Sequence, residues 1–446
     1  MFSWGFRGTV TQYCSETTIN LPLREESLEN DSTKVIPFKQ LVNLTKSFRD
    51  KARFYLNPFF FNGALQTFYL STHDFQNSYK VYYGRKILTS LDGKSTASLD
   101  YAVDDPKLSD KEFSELEKKT HPDNWPRLHP RTRFFNEEEL REKETPSDDT
   151  RPMLIILHGL AGGSHEPIIR QFVEKLFYFK SVFQEIIVLH SRGCGRSKIS
   201  TPELFCALST EDLRQLILLT KKQFPNRPIF VMGFSFGSVI LVNYLGQYPG
   251  DESKVACAVT IGNPWDMTDS SYHLGSSLSG RYLFSPAVTS FLFKLVKNNS
   301  NELKGTSLYQ NFIDNKVPKS IVEFDTLYTA PAFGFQSAYD YYRKCSSVNR
   351  LPKIKTPLLS INSTDDPVTG INLPWNEFKS NPYCCLLSTD LGGHLSWLQP
   401  NNKSWFVDPV SDFFSNYCEM VDSGKPISDG GYEPRDCVFD GVYPYY

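Results

Sequence analysis

From residue 151 onward, short and continuously apolar runs alternate with amphipathic stretches. The runs 153–157, 186–189, 229–232, 255–261, 358–361 and 384–387 read as strands. None alternates apolar with polar positions, so each is expected to be buried on both faces. Between them, 209–224 repeats apolar residues at helical spacing, with Leu213, Leu216, Ile217 and Thr220 on one side and Ser209 placed to cap it. Residues 238–245 form the next predicted helix. Buried strands alternating with helices specify an α/β chain with a mostly parallel central sheet and helices on both faces.

The rhythm breaks in three places. Residues 1–50 are polar and irregular, and read as an N-terminal extension with weak structure. Residues 104–150 are acidic and interrupted by prolines, with one helix expected over 110–119 and loop elsewhere. Residues 265–350 lie between two sheet strands but are dense in large apolar and aromatic side chains. They read as a helical lid inserted into the domain. The expected organisation is an extension over 1–50, one α/β domain over 51–425 and a tail over 426–446.

Composition narrows the function classes. The 446 residues carry 48 Lys plus Arg against 50 Asp plus Glu, a net charge of -2. Binding dominated by a nucleic-acid backbone would need a strong basic excess, so no nucleic-acid partner is expected. Aromatic residues make up 14%, with 34 Phe and 23 Tyr. Many fall in the insertion and around 59–69, where they are expected to wall an apolar pocket. The nine cysteines form no CxxC pair and read as reduced thiols in an intracellular, cytoplasmic setting. No apolar run approaches the roughly 18 residues of a spanning helix, so the chain is expected to be soluble or peripheral to a lipid surface. No metal-ligand spacing is visible, and no cofactor is implied.

The chemistry concentrates at strand ends. Gly233-Phe234-Ser235-Phe236-Gly237 follows one predicted strand and opens a predicted helix, the context a nucleophile elbow requires. Glycines two before and two after let the chain turn sharply and push Ser235 out above the sheet. A serine nucleophile needs a base and an oriented acid. His394 follows the 384–387 strand on a two-glycine turn and is the expected base. Asn362-Ser363-Thr364-Asp365-Asp366-Pro367 follows the preceding strand; Asp365 is the assigned acid and Asp366 the alternative. His158-Gly159-Leu160-Ala161-Gly162-Gly163 follows the first strand of the series. The backbone N–H groups of Leu160 and Phe236 are therefore the expected oxyanion donors.

Taken together, these segments resemble the α/β-hydrolase superfamily, and within it the YheT-like branch. That branch includes fungal medium-chain fatty acid ethyl ester synthase/esterase proteins and animal lipases acting on monoacylglycerols or phospholipids. The likeness runs from Asn62-Gly63-Ala64-Leu65-Gln66-Thr67 through Ser98-Leu99-Asp100-Tyr101 and Ser191-Arg192-Gly193-Cys194-Gly195. It continues through the Ser235 motif to Glu323-Phe324-Asp325, Tyr341-Tyr342-Arg343, Asp365-Asp366-Pro367 and Gly392-Gly393-His394. It implies a serine esterase acting on lipid-like acyl esters through Ser235, Asp365 and His394, with peripheral contact at a lipid droplet or membrane surface. The alternatives are acyl-CoA:ethanol acyl transfer through the same triad, or a non-catalytic lipid-binding protein. Some relatives carry a His-x4-Asp acyltransferase signature, and no histidine here has Asp five residues on.

Overall fold

A computed structural model describes residues 5–24, 34–73, 75, 78–90, 93–425 and 427–433. In chain order the strands are β1 (Arg7–Cys14), β2 (Asn20–Pro22), β3 (Val35–Pro37), β4 (Arg53–Tyr55), β5 (Tyr82–Thr89), β6 (Thr96–Val103) and β7 (Thr132–Phe134). They continue with β8 (Met153–Leu157), β9 (Glu185–His190), β10 (Ile229–Phe234), β11 (Cys257–Ile261), β12 (Leu358–Ser363) and β13 (Cys384–Thr389). Eleven of them form one sheet in the order β4-β1-β13-β12-β11-β10-β8-β9-β6-β5-β7, and β2 pairs with β3 alone.

The six strands legible as apolar runs are the parallel centre of this sheet. All five residues of β8 and of β11, and all six of β10, β12 and β13, are buried. Helices Pro167–Val173 and Val407–Met420 contribute Phe172, Val410, Phe413 and Phe414 to the core. Helix Phe236–Gln247 is apolar almost all round and buried over nine consecutive residues, 237–245.

Both flanks of the sheet depart from expectation. Residues 7–14 are not a loose extension: 10–14 pair antiparallel with β13, with Val10 opposite Thr389 and Cys14 opposite Cys385, and 7–9 pair antiparallel with β4. Those two cysteines are joined, so not all nine thiols are free. The stretch 104–150 adds β7 and helix Glu137–Glu144 beside the foreseen helix Asp110–Thr120, which Ser109 caps reciprocally with Glu112. The helix expected from Ser209 begins at Glu211, because the Ser209 hydroxyl is occupied by the Cys206 N–H. Of the expected tail 426–446, only 427–433 lie within the described residues.

Between Met267 and Cys345 the insertion is a series of helices joined by turns. Its inward faces form two apolar clusters, one around Leu292, Leu295, Val296, Phe324 and Tyr328, the other around Met267, Ala338, Tyr341 and Tyr342. Phe236 packs against both, so the lid rests on the turn that follows β10.

Candidate active site

Ser235 sits between β10 and helix Phe236–Gln247 with φ 51° and ψ -118°. A non-glycine residue pays for that conformation, and here the surroundings enforce it. The Ser235 N–H donates to the Ile261 carbonyl at 2.9 Å. A Cβ at Gly237 would lie 2.5 Å from the carbonyl oxygens of Leu157 and His158, and one at Gly233 would lie 2.7 Å from Ser238. Both glycines of the motif are therefore required by packing, and the strained turn holds the hydroxyl above the sheet.

His394 meets that hydroxyl. Its Nε2 lies 2.8 Å from Ser235 Oγ and its Nδ1 lies 2.8 Å from Asp366 Oδ2. The acid beside the ring is Asp366, which corrects the assignment to Asp365. The other oxygen of Asp366 accepts the N–H groups of Val368 and Thr369 at 2.7 and 3.0 Å. Burial would push this carboxyl up, but the imidazole and the two N–H donors outweigh it and hold Asp366 below the usual carboxylate range.

Asp365 faces the other way. It accepts the Ser363 hydroxyl at 2.5 Å and the Gly393 N–H at 2.8 Å. Burial dominates its titration and pushes it up to about 6. It ties the acid loop to the histidine loop without touching the ring. Asn62-Gly63-Ala64-Leu65-Gln66-Thr67 acts beside it: Thr67 Oγ1 accepts the His394 N–H at 2.8 Å, and Gln66 accepts the Leu398 N–H. A Cβ at Gly393 would sit 2.4 Å from the Gly63 carbonyl, so only glycine lets these segments approach. Thr67 and Gln66 were not legible as site residues, since their partners lie more than 320 positions away.

The loop after β8 is braced by a second histidine. The backbone N–H of Ser191 can only donate, so His158 Nε2, 3.1 Å away, accepts. Burial keeps this ring neutral, pushed down to about 3. The proton therefore resides on Nδ1, which donates to the Gly159 carbonyl at 2.6 Å; the Gly162 N–H donates to the same oxygen at 3.1 Å. In a trans peptide the next N–H, that of Leu160, points opposite to this pinned carbonyl. A Cβ at Gly159 would lie 3.7 Å from Ser235 Cβ, which puts the loop against Ser235. Phe236 is the first residue of its helix, so its N–H lies outside the intrahelical ladder. Beneath the loop, the Glu166 carboxyl accepts the N–H groups of Gly159 and Gly163, yet burial dominates and pushes it up to about 7.

Ser235 and His394 open into a cavity of about 790 Å³. Much of its apolar wall comes from the lid, through Phe291, Leu292, Leu295, Leu308, Phe324 and Tyr328, and the rest from residues such as Leu160, Leu204, Phe205 and Phe236. The expectation that rings near 59–69 also wall it does not hold. From that stretch only Thr67 reaches the cavity, while Phe59, Phe61 and Phe68 are exposed. Among the described residues no cluster of three or more His, Cys, Asp or Glu could hold a metal ion.

A parallel sheet, a serine on a strained strand-to-helix turn and a histidine and acid from later strands define an α/β hydrolase. Residues 152–394 match the family described as alpha/beta hydrolase fold, and the chain belongs to this family of enzymes. It is 39% identical over 94% of its length to Medium-chain fatty acid ethyl ester synthase/esterase 2 of Saccharomyces cerevisiae, covering 97% of that protein. It is 36% identical over 81% of its length to Monoacylglycerol lipase of the same yeast, covering 80% of that protein. Phospholipase ABHD3 of Homo sapiens is 31% identical over 63% of the chain and 66% of its own length.

Proposed function

We propose that the chain is a serine carboxylic-ester hydrolase acting on lipid-like acyl esters, such as monoacylglycerols and medium-chain fatty acid esters. The observation that carries this reading is the hydrogen-bonded series Ser235–His394–Asp366 opening into the lid-walled cavity. Ser235 Oγ attacks the ester carbonyl while His394 Nε2 takes its proton. Asp366 holds Nδ1–H in place and stabilises the imidazolium. The N–H groups of Leu160 and Phe236 receive the oxyanion, each worth roughly 100- to 1000-fold in rate. His394 returns the proton to the departing alcohol, leaving an acyl ester on Ser235. Water, deprotonated by His394, then releases the fatty acid.

The relatives' names, which join synthesis with hydrolysis of ethyl esters and include a monoacylglycerol lipase, support the same substrate class. Such substrates are presented at interfaces, so peripheral contact with a lipid surface belongs to this reading. The test is release of free acid from monoacylglycerols and ethyl esters of graded chain length, with and without ethanol. Ser235→Ala is expected to lower hydrolysis by about a thousandfold or more. Unchanged hydrolysis in that variant would refute the reading. Ethyl ester outweighing free acid in the ethanol arm would assign acyl transfer to the alcohol instead.

A further inference from the structure

The walls of the cavity carry an outer surface that the catalytic reading does not use. Residues 270–301 of the lid contain no Asp or Glu, and three basic residues, Arg281, Lys294 and Lys297. Their exposed face includes Tyr272 at 70%, Leu278 at 80% and Tyr282 at 70% exposure. None of these three side chains lines the cavity, while Leu274, Phe291 and Leu292 of the same helices do. The inner face of this segment is thus committed to the cavity and its outer face is left apolar and basic.

The acids that flank the segment are Asp266, Asp269 and Glu302, and the first two are engaged in side-chain hydrogen bonds. Asp266 caps its own helix through the N–H groups of Thr268 and Asp269, and Asp269 accepts the Asn372 side chain at 2.9 Å. Arg281, Lys294 and Lys297 take part in no ion pair among the described residues. Arg281 instead lies over the Tyr282 ring, 5.5 Å from its centroid. A second segment that reaches the cavity, residues 54–72, contains no charged side chain at all. There Phe59 is 83% exposed, while Thr67 and Leu70 of the adjoining helix line the cavity.

We infer that the outer face of 270–301, together with 59–68, docks this protein on an anionic phospholipid bilayer, with the cavity adjoining the contact. Large apolar and aromatic side chains interleaved with unpaired basic ones, and the absence of acids, are the composition that binds a lipid interface. A neutral protein partner would not call for the one-sided charge, and exposed rings of this number need cover. Among the described residues no helix is long and apolar enough to cross a membrane, so this contact lies along the surface. The inference deepens the lipid-ester reading and rests on it for its purpose. Its measurement does not depend on catalysis.

The experiment is flotation of the full chain with vesicles of phosphatidylcholine alone or with about 30% phosphatidylserine. The anionic vesicles are expected to carry at least about tenfold more protein, because each basic residue near such a surface adds roughly fivefold in partition. Leu278→Asp with Tyr282→Asp is expected to abolish flotation on both. Arg281→Glu with Lys294→Glu and Lys297→Glu is expected to abolish only the anionic preference. Hydrolysis of a soluble short-chain ester, measured on the same samples, should stay within about twofold for the Leu278/Tyr282 pair. That control separates failure of docking from failure of the hydrolase reading and reports a misfolded variant. If that pair misfolds, the charge-reversed triple variant alone decides. Wild-type protein that stays unbound, variants that float like wild type, or a face buried in a self-dimer that Leu278→Asp disperses would each overturn the inference.

Discussion

Replacing Asp366 by Asn tests the geometry at its most sensitive point. The side chain is buried, and its Oδ1 accepts two backbone N–H groups, from Val368 and Thr369. Neither donor can be reversed, so the amide oxygen of Asn must occupy that position. Its NH2 group must then face His394 Nδ1, which Asp366 Oδ2 approaches at 2.8 Å in the native chain. An NH2 there demands that Nδ1 accept, and the ring proton moves to Nε2. Nε2 lies 2.8 Å from Ser235 Oγ and, once protonated, cannot remove the serine proton. The expected loss in kcat is about 10⁴-fold, or roughly 5 kcal/mol of transition-state stabilisation. Asp365→Asn should cost less than about tenfold, because an amide oxygen still accepts the Ser363 hydroxyl and the Gly393 N–H. The assay is kcat and KM on a soluble chromogenic ester, with folding checked by thermal unfolding. A loss below about tenfold for Asp366→Asn, or a larger loss for Asp365→Asn, would refute the argument.

Other substitutions probe the supports. His158→Phe removes the donor that pins the Gly159 carbonyl and should lower kcat by about 10- to 100-fold with KM nearly unchanged; a rise in KM alone would contradict the brace. Glu166 keeps its proton to about pH 7 when folded, against an ordinary value of 4.5, so the folded state binds more protons and stability falls as pH rises between those values. Glu166→Gln should therefore gain stability relative to wild type from pH 4 to pH 8, by at most about 3 kcal/mol, and parallel denaturation curves would exclude this. Gly237→Ala brings a Cβ against two carbonyl oxygens and should destabilise by about 1–3 kcal/mol in chemical denaturation. Gly275→Ala, in a helix with nothing within 4 Å of the added carbon, should stabilise by about 0.5–1 kcal/mol.

The sequence by itself determined the parts whose signal is local. Fully apolar runs mark the six central strands, because a strand covered on both faces has no polar side to show. Gly233 and Gly237 mark the strained turn at Ser235, and two glycines mark the turn that delivers His394. What only the tertiary structure decided depends on partners far apart in the chain. Asp365 and Asp366 are adjacent and chemically identical. The choice between them is made by Gly393 N–H, 28 residues away, which takes Asp365 and leaves Asp366 to the ring. The extension became a sheet strand because the open edge of β13, some 370 residues later, needs a partner for its backbone groups. The aromatic residues divided for the same kind of reason. Composition grouped those near 59–69 with those of the insertion, but packing turned the lid rings inward to the cavity and left Phe59, Phe61 and Phe68 facing out. Local pattern records that a residue is apolar; only the placement of neighbouring segments decides which side of a wall it faces.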